Sequence, residues 1–512
     1  MYLHSLRLKN FKGFRGESDE ICFHGPNGEP GSGLNILVGE NNAGKSTVLQ
    51  AISFLRDHTF QKKDPTSIAP NAAAKEMNDA ETVQDGCAVI GEFAENSSAA
   101  MLATIGAFIN SNNQNAVKDV LISNTHVRCR RPWQDEKARK KLSFLKAGEG
   151  FDAEGSNPTG LDVFLKSTLD IHAFWADDNA EDKTSYGTNK PCLKLLEDIV
   201  DKAEGTEEYK DLQKAFDGVF GNPSSALRRD IAGVEKSISS QFQAFFGAGR
   251  LHFDFPQPSV EQFVKALTLI IDLNYSLALA EHGHGVQRIA ALAVLTAWAA
   301  VQSKNNDKDK QKPYIFLLDE PEICLHPRGQ EKLLKALLEI SRHYQIFVTT
   351  HSPIFLHSPD IRNANLLLCR MRNGTTVVRP QTEFASTFDY SPTWGEISWF
   401  AYNMPTIEFH NELFSLLQEL YGQNSISAVD SRIQQSFREM HEQPALYTWI
   451  RKTKQGDVAE PNRTLAYCVR NAIHHPENHS MGKDFVEKNL EESINDMLRV
   501  IKHVRAQSTQ SI

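Results

Sequence analysis

Between residues 34 and 55 the apolar positions change period. Leu34, Ile36, Leu37 and Val38 form a short run, and Val48, Leu49, Ile52 and Leu55 follow at the i, i+1, i+4, i+7 spacing of one helix face. The pattern predicts a buried strand, a turn and a helix. Upstream, residues 2–8 alternate apolar and polar side chains, the signature of an edge-type strand, and residues 25–33, rich in Gly and Pro, read as a loop. Further strands are expected at 88–93, 267–273, 314–319 and 346–350. Helices are expected at 226–246, which returns the chain to the sheet through 251–255, and at 330–341. Ile289, Leu292, Leu295 and Trp298 repeat at helical spacing. Near the end, Leu413, Leu416, Leu417 and Leu420 form one stripe and Leu490, Ile494, Met497 and Ile501 another, both suited to helix packing.

Alternation of strand-like and helix-like segments predicts an α/β protein. The expected organisation is an N-terminal lobe over 1–96, a largely helical insertion over 97–250, a second lobe over 251–390 and a helical domain over 391–512. A chain of 512 residues is long enough for two or three domains, the two lobes forming one of them. The net charge of −9 argues against indiscriminate nucleic-acid binding and leaves only a local basic patch for such contact. One candidate is Arg128-Cys129-Arg130-Arg131-Pro132-Trp133, which can hold nucleic acid or form a solvated face. Seven scattered cysteines without a CxxC pair point to reduced thiols rather than a disulfide or zinc framework. The longest apolar stretch, near 289–301, is short and broken by Thr296, so a cytoplasmic protein without a membrane span is expected.

The turn after the first buried strand reads Gly39-Glu40-Asn41-Asn42-Ala43-Gly44-Lys45-Ser46, followed by Thr47. A Gly-rich turn between strand and helix lets backbone N–H groups curl around phosphate oxygens, helped by the partial positive charge of the helix N-terminus. Lys45 can reach the β- and γ-phosphates, and the Ser46 hydroxyl can ligate Mg²⁺. Downstream, the strand at 314–319 ends in Asp319-Glu320-Pro321-Glu322. Asp319 suits Mg²⁺, and Glu320 suits orientation or deprotonation of an attacking water. The strand at 346–350 ends in His351, whose imidazole can hydrogen-bond a γ-phosphate. Glu281-His282-Gly283-His284-Gly285-Val286-Gln287-Arg288 opens a helix with a second anion-binding glycine pair.

Taken in order, Asn10-Phe11-Lys12-Gly13-Phe14, the Walker A turn, Gly-x-Gly-x-Gln, Asp-Glu-Pro-Glu, Leu325-His326-Pro327 and Thr350-His351-Ser352-Pro353 resemble the ABC-type ATPases of the SMC, RecF and OLD group, and the OLD branch most. The resemblance covers 1–96 and 250–370. It implies an ABC-type ATPase head that uses ATP and Mg²⁺. Gly39, Asn42, Ala43, Gly44, Lys45, Ser46 and Thr47 match Walker A. Gly283, Gly285 and Gln287 match the signature, Asp319 and Glu320 Walker B, His326 the D-loop region and His351 the switch histidine. Lys12 is a further candidate near the nucleotide, and Gln134 a candidate Q-loop glutamine. Heads of this group sandwich ATP between two copies, which implies a homodimer or a higher even-numbered assembly.

Beyond 370 the Toprim nuclease pattern of OLD proteins is missing. A head followed by a helical tail is similar to the PtuA-type ATPases of Septu and retron-linked anti-phage systems. Those work beside an HNH nuclease, with retron RNA or DNA or a target nucleic acid as possible contacts. Two alternatives stay open. Arg470, Asn471 and His475 fit the Arg-x4–6-His spacing of HEPN ribonucleases, or simply end a helix before Pro476. The chain also fits a RecF-like DNA-repair ATPase.

Overall fold

The computed structural model describes residues 1–57, 87–95, 121–133 except 124, 142–153, 168–176, 206–246, 251–257, 269–272, 276–283, 313–475 except 385 and 454, and 483–510, with isolated residues between. In chain order the first elements are β1 (Tyr2–Lys9), β2 (Ile21–Cys22), β3 (Leu34–Val38), α1 (Lys45–Asp57) and β4 (Cys87–Ala94). Then come β5 (Leu121–Ser123), β6 (His126–Trp133), β7 (Ser143–Leu145), β8 (Asp170–Phe174), α2 (Glu207–Phe216), α3 (Ala226–Phe246), β9 (Ile270–Asp272) and β10 (Ser276–Ala278). The second half holds β11 (Tyr314–Asp319), α4 (Pro327–Ile340), β12 (Gln345–Thr349), α5 (Pro353–His357), β13 (Asn365–Arg372) and β14 (Thr375–Pro380). It ends with α6 (Trp394–Tyr402), α7 (Ile407–Tyr421), α8 (Ile426–Glu439), β15 (Leu446–Thr453), β16 (Gly456–Thr464), α9 (Leu465–His474) and α10 (Lys483–Gln510).

The chain divides into two units. The first comprises Met1–Ala173, Lys312–Glu322 and Pro327–Ile512; the second comprises Phe174–Gln311 and Ile323–His326. In the first unit one sheet runs β14-β13-β3-β12-β11-β8 and another runs β2-β1-β4-β6-β5, with β7 on β6. In the former, β13, β3, β12 and β11 are parallel neighbours. Every residue of β3 and β12 is buried, as expected of central parallel strands whose two faces are both covered. The second sheet is antiparallel through β1, β4 and β6, and α1 lies against it, with Leu55 near Gly91.

The stretch 97–250, expected as a largely helical insertion, contributes strands first. Val127, Cys129 and Arg131 of β6 are buried, and Arg128 pairs with Glu92 on β4 at 2.6 Å. Alternation along β6 thus puts the basic run into a sheet. Arg131 is 1% exposed, and its guanidinium donates to Leu55 O at 2.7 Å and Arg56 O at 3.3 Å. It thereby serves the last carbonyls of α1, the negative end of that helix. Two arginines of the basic run are therefore engaged within the fold.

In the second unit α3 spans the expected residues, but the segment after it does not form a strand. Leu251 N donates to Ser239 Oγ and Phe253 N to Glu235 Oε1, so the chain runs back along α3. Of the strand expected at 267–273, the described residues hold β9, paired with β10.

Among the described residues the C-terminal region is helical apart from one hairpin, β15–β16, which the helical periodicity at 391–512 did not foretell. Its strands are mostly exposed, so a hydrophobic stripe had little to report there. Leu413, Leu417, Leu490, Ile494, Met497 and Ile501 share one core with Phe409, Phe437 and Cys468. Among the described residues no helix is long and apolar enough to cross a membrane.

Candidate nucleotide-binding site

Three parallel strands deliver the site. β3 leads into the Gly-rich turn, β11 ends at Asp319, and β12, lying between them, leads to His351. The register aligns Asp319 with Thr349 and Thr349 with Leu37, so the strands stop at one level. Ligands of open α/β sheets bind at such carboxyl ends.

The turn has a backbone only glycine tolerates at two points. Gly39 has φ 144°, and a Cβ on it would sit 2.1 Å from Cys369 O. Gly44 has φ 94°, and a Cβ there would meet Thr376 Oγ1 and Cγ2 at 2.6 Å. Asn42 takes φ 62°, a conformation asparagine accepts more readily than most residues. Ala43 is buried and Thr47 half-buried. Lys45 opens α1, and its Nζ donates to Gly39 O at 3.0 Å and Glu40 O at 2.9 Å. Burial pulls the Lys45 pKa down, opposed by Cys369, Glu320, Asp319 and Glu322 around it.

Asp319 is 8% exposed. Its Oδ1 accepts from Ser46 Oγ at 2.8 Å and from Thr349 Oγ1 at 2.6 Å. Glu320 adopts φ 46°, and its N–H is held by Thr349 O at 3.1 Å and Thr349 Oγ1 at 3.0 Å. A non-glycine residue in that region carries backbone strain of about 1–3 kcal/mol, held here by the strand ends on either side. His351 Nε2 stands 3.9 Å from Glu320 Oε1 and is buried without a hydrogen bond. Burial, then the Lys45 charge, lowers the His351 pKa, which favours the neutral imidazole.

Glu322, quoted in the motif but given no role by sequence reasoning, is part of the same cluster. It is 7% exposed, and Oε1 accepts from Thr350 Oγ1 at 2.5 Å and His351 N at 3.0 Å. Burial raises its pKa against those hydrogen bonds. It ties the end of β12 to the end of β11. Thr349 and Thr350 were also missed. Their signal was two hydroxyls directly before a strand-terminal histidine.

The other sequence candidates fall elsewhere. Lys12, with φ 49°, donates through Nζ to Gln50 Oε1 on α1, beside the helix that carries the turn. Gly283, Gln287 and His326 belong to the second unit. Gln287 is 6% exposed, and its Nε2 donates to His282 O at 2.8 Å. Gln134 and Gly285 lie outside the described residues. Arg470 lies over the Phe414 ring at 5.7 Å with Nη1 3.4 Å from Asn471 Oδ1, while His475 is the exposed C-cap of α9. In the other sheet, donor atoms of His4, Glu92 and His126 lie within 4.8 Å of one another. Arg128 already neutralises Glu92, and Ser123 and Thr125 hydroxyls meet His126 Nδ1 at 2.9 Å, so a cation has poor claim there.

The AAA ATPase domain family matches residues 1–356. The Old nuclease of Escherichia phage P2 is 25% identical over 361 residues, covering 67% of this chain and 56% of that protein. The retron Ec83 probable ATPase of Escherichia coli is 32% identical over 227 residues, 43% of this chain and 38% of that protein. Endonuclease GajA of Bacillus cereus is 19% identical over 393 residues, 74% of this chain and 59% of that protein. The chain spans about half the length of the curated relatives it matches.

Proposed function

We propose, from the premise that the chain belongs to the AAA ATPase domain family, that it binds and hydrolyses ATP and that its nucleotide state controls a nuclease in defence against phage. The observation that carries the ATPase reading is the Ser46–Asp319 pair. Their oxygens stand 2.8 Å apart, close to the ~3.0 Å edge of an octahedron with metal–oxygen bonds of ~2.1 Å. The residues present therefore fit Mg²⁺, which when bound would draw charge from the β- and γ-phosphates.

This chain's own residues supply the rest. Backbone N–H groups of Asn42 to Thr47 wrap the phosphates, and Lys45 turns from Gly39 O and Glu40 O to phosphate oxygens of higher charge. Glu320 orients the attacking water and takes its proton. His351, neutral and beside Glu320, donates to the γ-phosphate. Gly283, Gly285 and Gln287 would reach the γ-phosphate bound by a second copy, giving an ATP-dependent homodimer.

The defence reading rests on relatives named as the Old nuclease, a retron ATPase and the endonuclease GajA. With the PtuA-like layout of head and helical tail, it favours a partner nuclease of HNH type docking on the C-terminal region. A ribonuclease role for Arg470 and His475 has weaker support, because Arg470 is occupied by Phe414 and Asn471. The test is ATP binding and turnover by the purified chain. Lys45→Ala should abolish binding. Glu320→Gln should keep it while hydrolysis falls about 10²-fold or more. Unchanged binding in Lys45→Ala would refute the reading. Cleavage of nucleic acid appearing only when an HNH protein is added would support the partner.

A further inference from the structure

The phosphate-facing cluster includes one side chain from outside the ATPase motifs. Tyr402 is the last residue of α6, the first helix of the C-terminal region. Its ring lies 5.8 Å from the His351 ring, and its hydroxyl donates to Thr350 O at 3.3 Å. The Gly39 backbone N–H, at the start of the Gly-rich turn, is near enough to pull the pKa of that hydroxyl down. Tyr402 thus joins α6 to the residue that follows β12, with the start of the turn nearby. Burial, then Glu322 and Glu320, raises its pKa, so the phenol stays protonated and is a donor at any physiological pH.

Packing alone does not account for a tyrosine here. The ring contacts with His351 and Trp394 would be served by phenylalanine. A phenolic hydroxyl taken out of water needs a good acceptor, and a carbonyl at 3.3 Å is a long one. A phosphate oxygen is a stronger acceptor, because hydrogen bonds to charged groups are about twice as strong as neutral ones.

The helix behind Tyr402 is fastened to the C-terminal core. The Thr393 side chain caps α6, and Glu396, fully buried, closes the capping box and accepts from Thr387 N and Ser391 Oγ at 2.6 Å. Thr393 Oγ1 also donates to Glu412 on α7 at 2.8 Å. α6 and α7 meet so closely that a Cβ on Gly395 would stand 2.8 Å from Phe409 Cα. Phe409 belongs to the core shared by α7, α8, α9 and α10. α6 is thus tied to α7 through its N-terminal turn.

We propose that Tyr402 is the residue by which the C-terminal region senses the γ-phosphate: its hydroxyl donates to a γ-phosphate oxygen of the bound nucleoside triphosphate, and α6 carries the resulting shift into α7. The inference rests on the ATP reading of the turn. It makes the triphosphate and the diphosphate differ in their contact with α6, which is what a ligand needs to shift a conformational equilibrium. Tyr402 acts as a sensing and positioning residue; proton transfer stays with Glu320.

The experiment uses the full chain and Tyr402→Phe, which keeps the ring packing. Equilibrium binding of ADP and of a non-hydrolysable ATP analogue is measured, together with amide hydrogen exchange over α6 and α7 with each ligand. In the wild type, the analogue and not ADP should change protection in α6 and α7. Tyr402→Phe should bind ADP as the wild type does, bind the analogue about tenfold more weakly, the worth of one hydrogen bond to a charged acceptor, and lose the triphosphate-specific protection. A Tyr402→Phe chain with wild-type preference for the analogue and an unchanged exchange response would overturn the proposal. Lys45→Ala separates the two readings. If it binds the analogue like the wild type, the ATP reading itself fails; if it does not, an unaltered Tyr402→Phe counts against the sensor alone.

Discussion

The Ser46 hydroxyl donates to Asp319 Oδ1 at 2.8 Å across 273 positions of sequence. Thr349 Oγ1 donates to the same oxygen at 2.6 Å. One carboxylate oxygen thus gathers the helix after the turn and two adjacent strand ends. Asp319→Asn should therefore leave the fold intact and remove Mg²⁺-dependent turnover, with a loss of about 10²-fold or more. The check is ATP hydrolysis titrated with Mg²⁺ and with EDTA. Turnover in Asp319→Asn that matches the wild type at every Mg²⁺ concentration would show that Asp319 holds no metal.

Gly39 cannot be replaced locally. A Cβ would enter Cys369 O at 2.1 Å with φ at 144°, so β3 and β13, paired in parallel at this level, would have to part. Gly39→Ala should lower stability by about 2–4 kcal/mol, in the range of severe backbone strain and overpacking, and abolish nucleotide binding. Chemical denaturation read by far-UV circular dichroism measures the first and isothermal titration the second.

Arg131→Met keeps bulk and removes the charge and the donors that serve Leu55 O and Arg56 O. The end of α1 then loses its partners, and a cost of about 2–3 kcal/mol is expected. Thermal unfolding should shift down while any affinity for nucleic acid stays the same. Loss of nucleic-acid affinity in a variant of unchanged stability would instead mean that Arg131 is a binding residue.

Glu412 gives the C-terminal region a pH dependence. Burial, then the charges of Glu408 and Glu396, pushes its pKa up to about 7, against the Thr393 hydrogen bond and nearby His357. The folded pKa lies above the ordinary glutamate value of 4.5. Its contribution is therefore fully present below pH 4.5 and is lost as pH rises through 7. After allowance for solvent screening of a partly exposed group, the loss is about 1–2 kcal/mol between pH 5 and 8. Glu412→Gln should flatten that part of the stability curve. An unaltered slope in melts across this range would exclude Glu412 as its source.

Much of the candidate site was legible in the sequence because its chemistry is local. The glycines at 39 and 44 mark positive φ, the change of period between Val38 and Val48 marks strand, turn and helix, and Asp319, Glu320 and His351 each end an apolar run. The stripes at 413–420 and 490–501 likewise predicted a helical core, since burial repeats with the helix. What the tertiary structure alone decided are relations between distant segments. β6 carries arginines on a buried strand because Glu92 and the carbonyl end of α1 receive them, and no window around Arg131 contains those partners. Glu322 joins the cluster only because β11 and β12 end side by side. Tyr402 looks, in sequence, like the last turn of an apolar helix. It meets Thr350 O, with the Gly39 N–H nearby, only because α6 packs beside the end of β12, and proximity to a residue more than three hundred positions away is set by the packing of the whole sheet rather than by any local pattern.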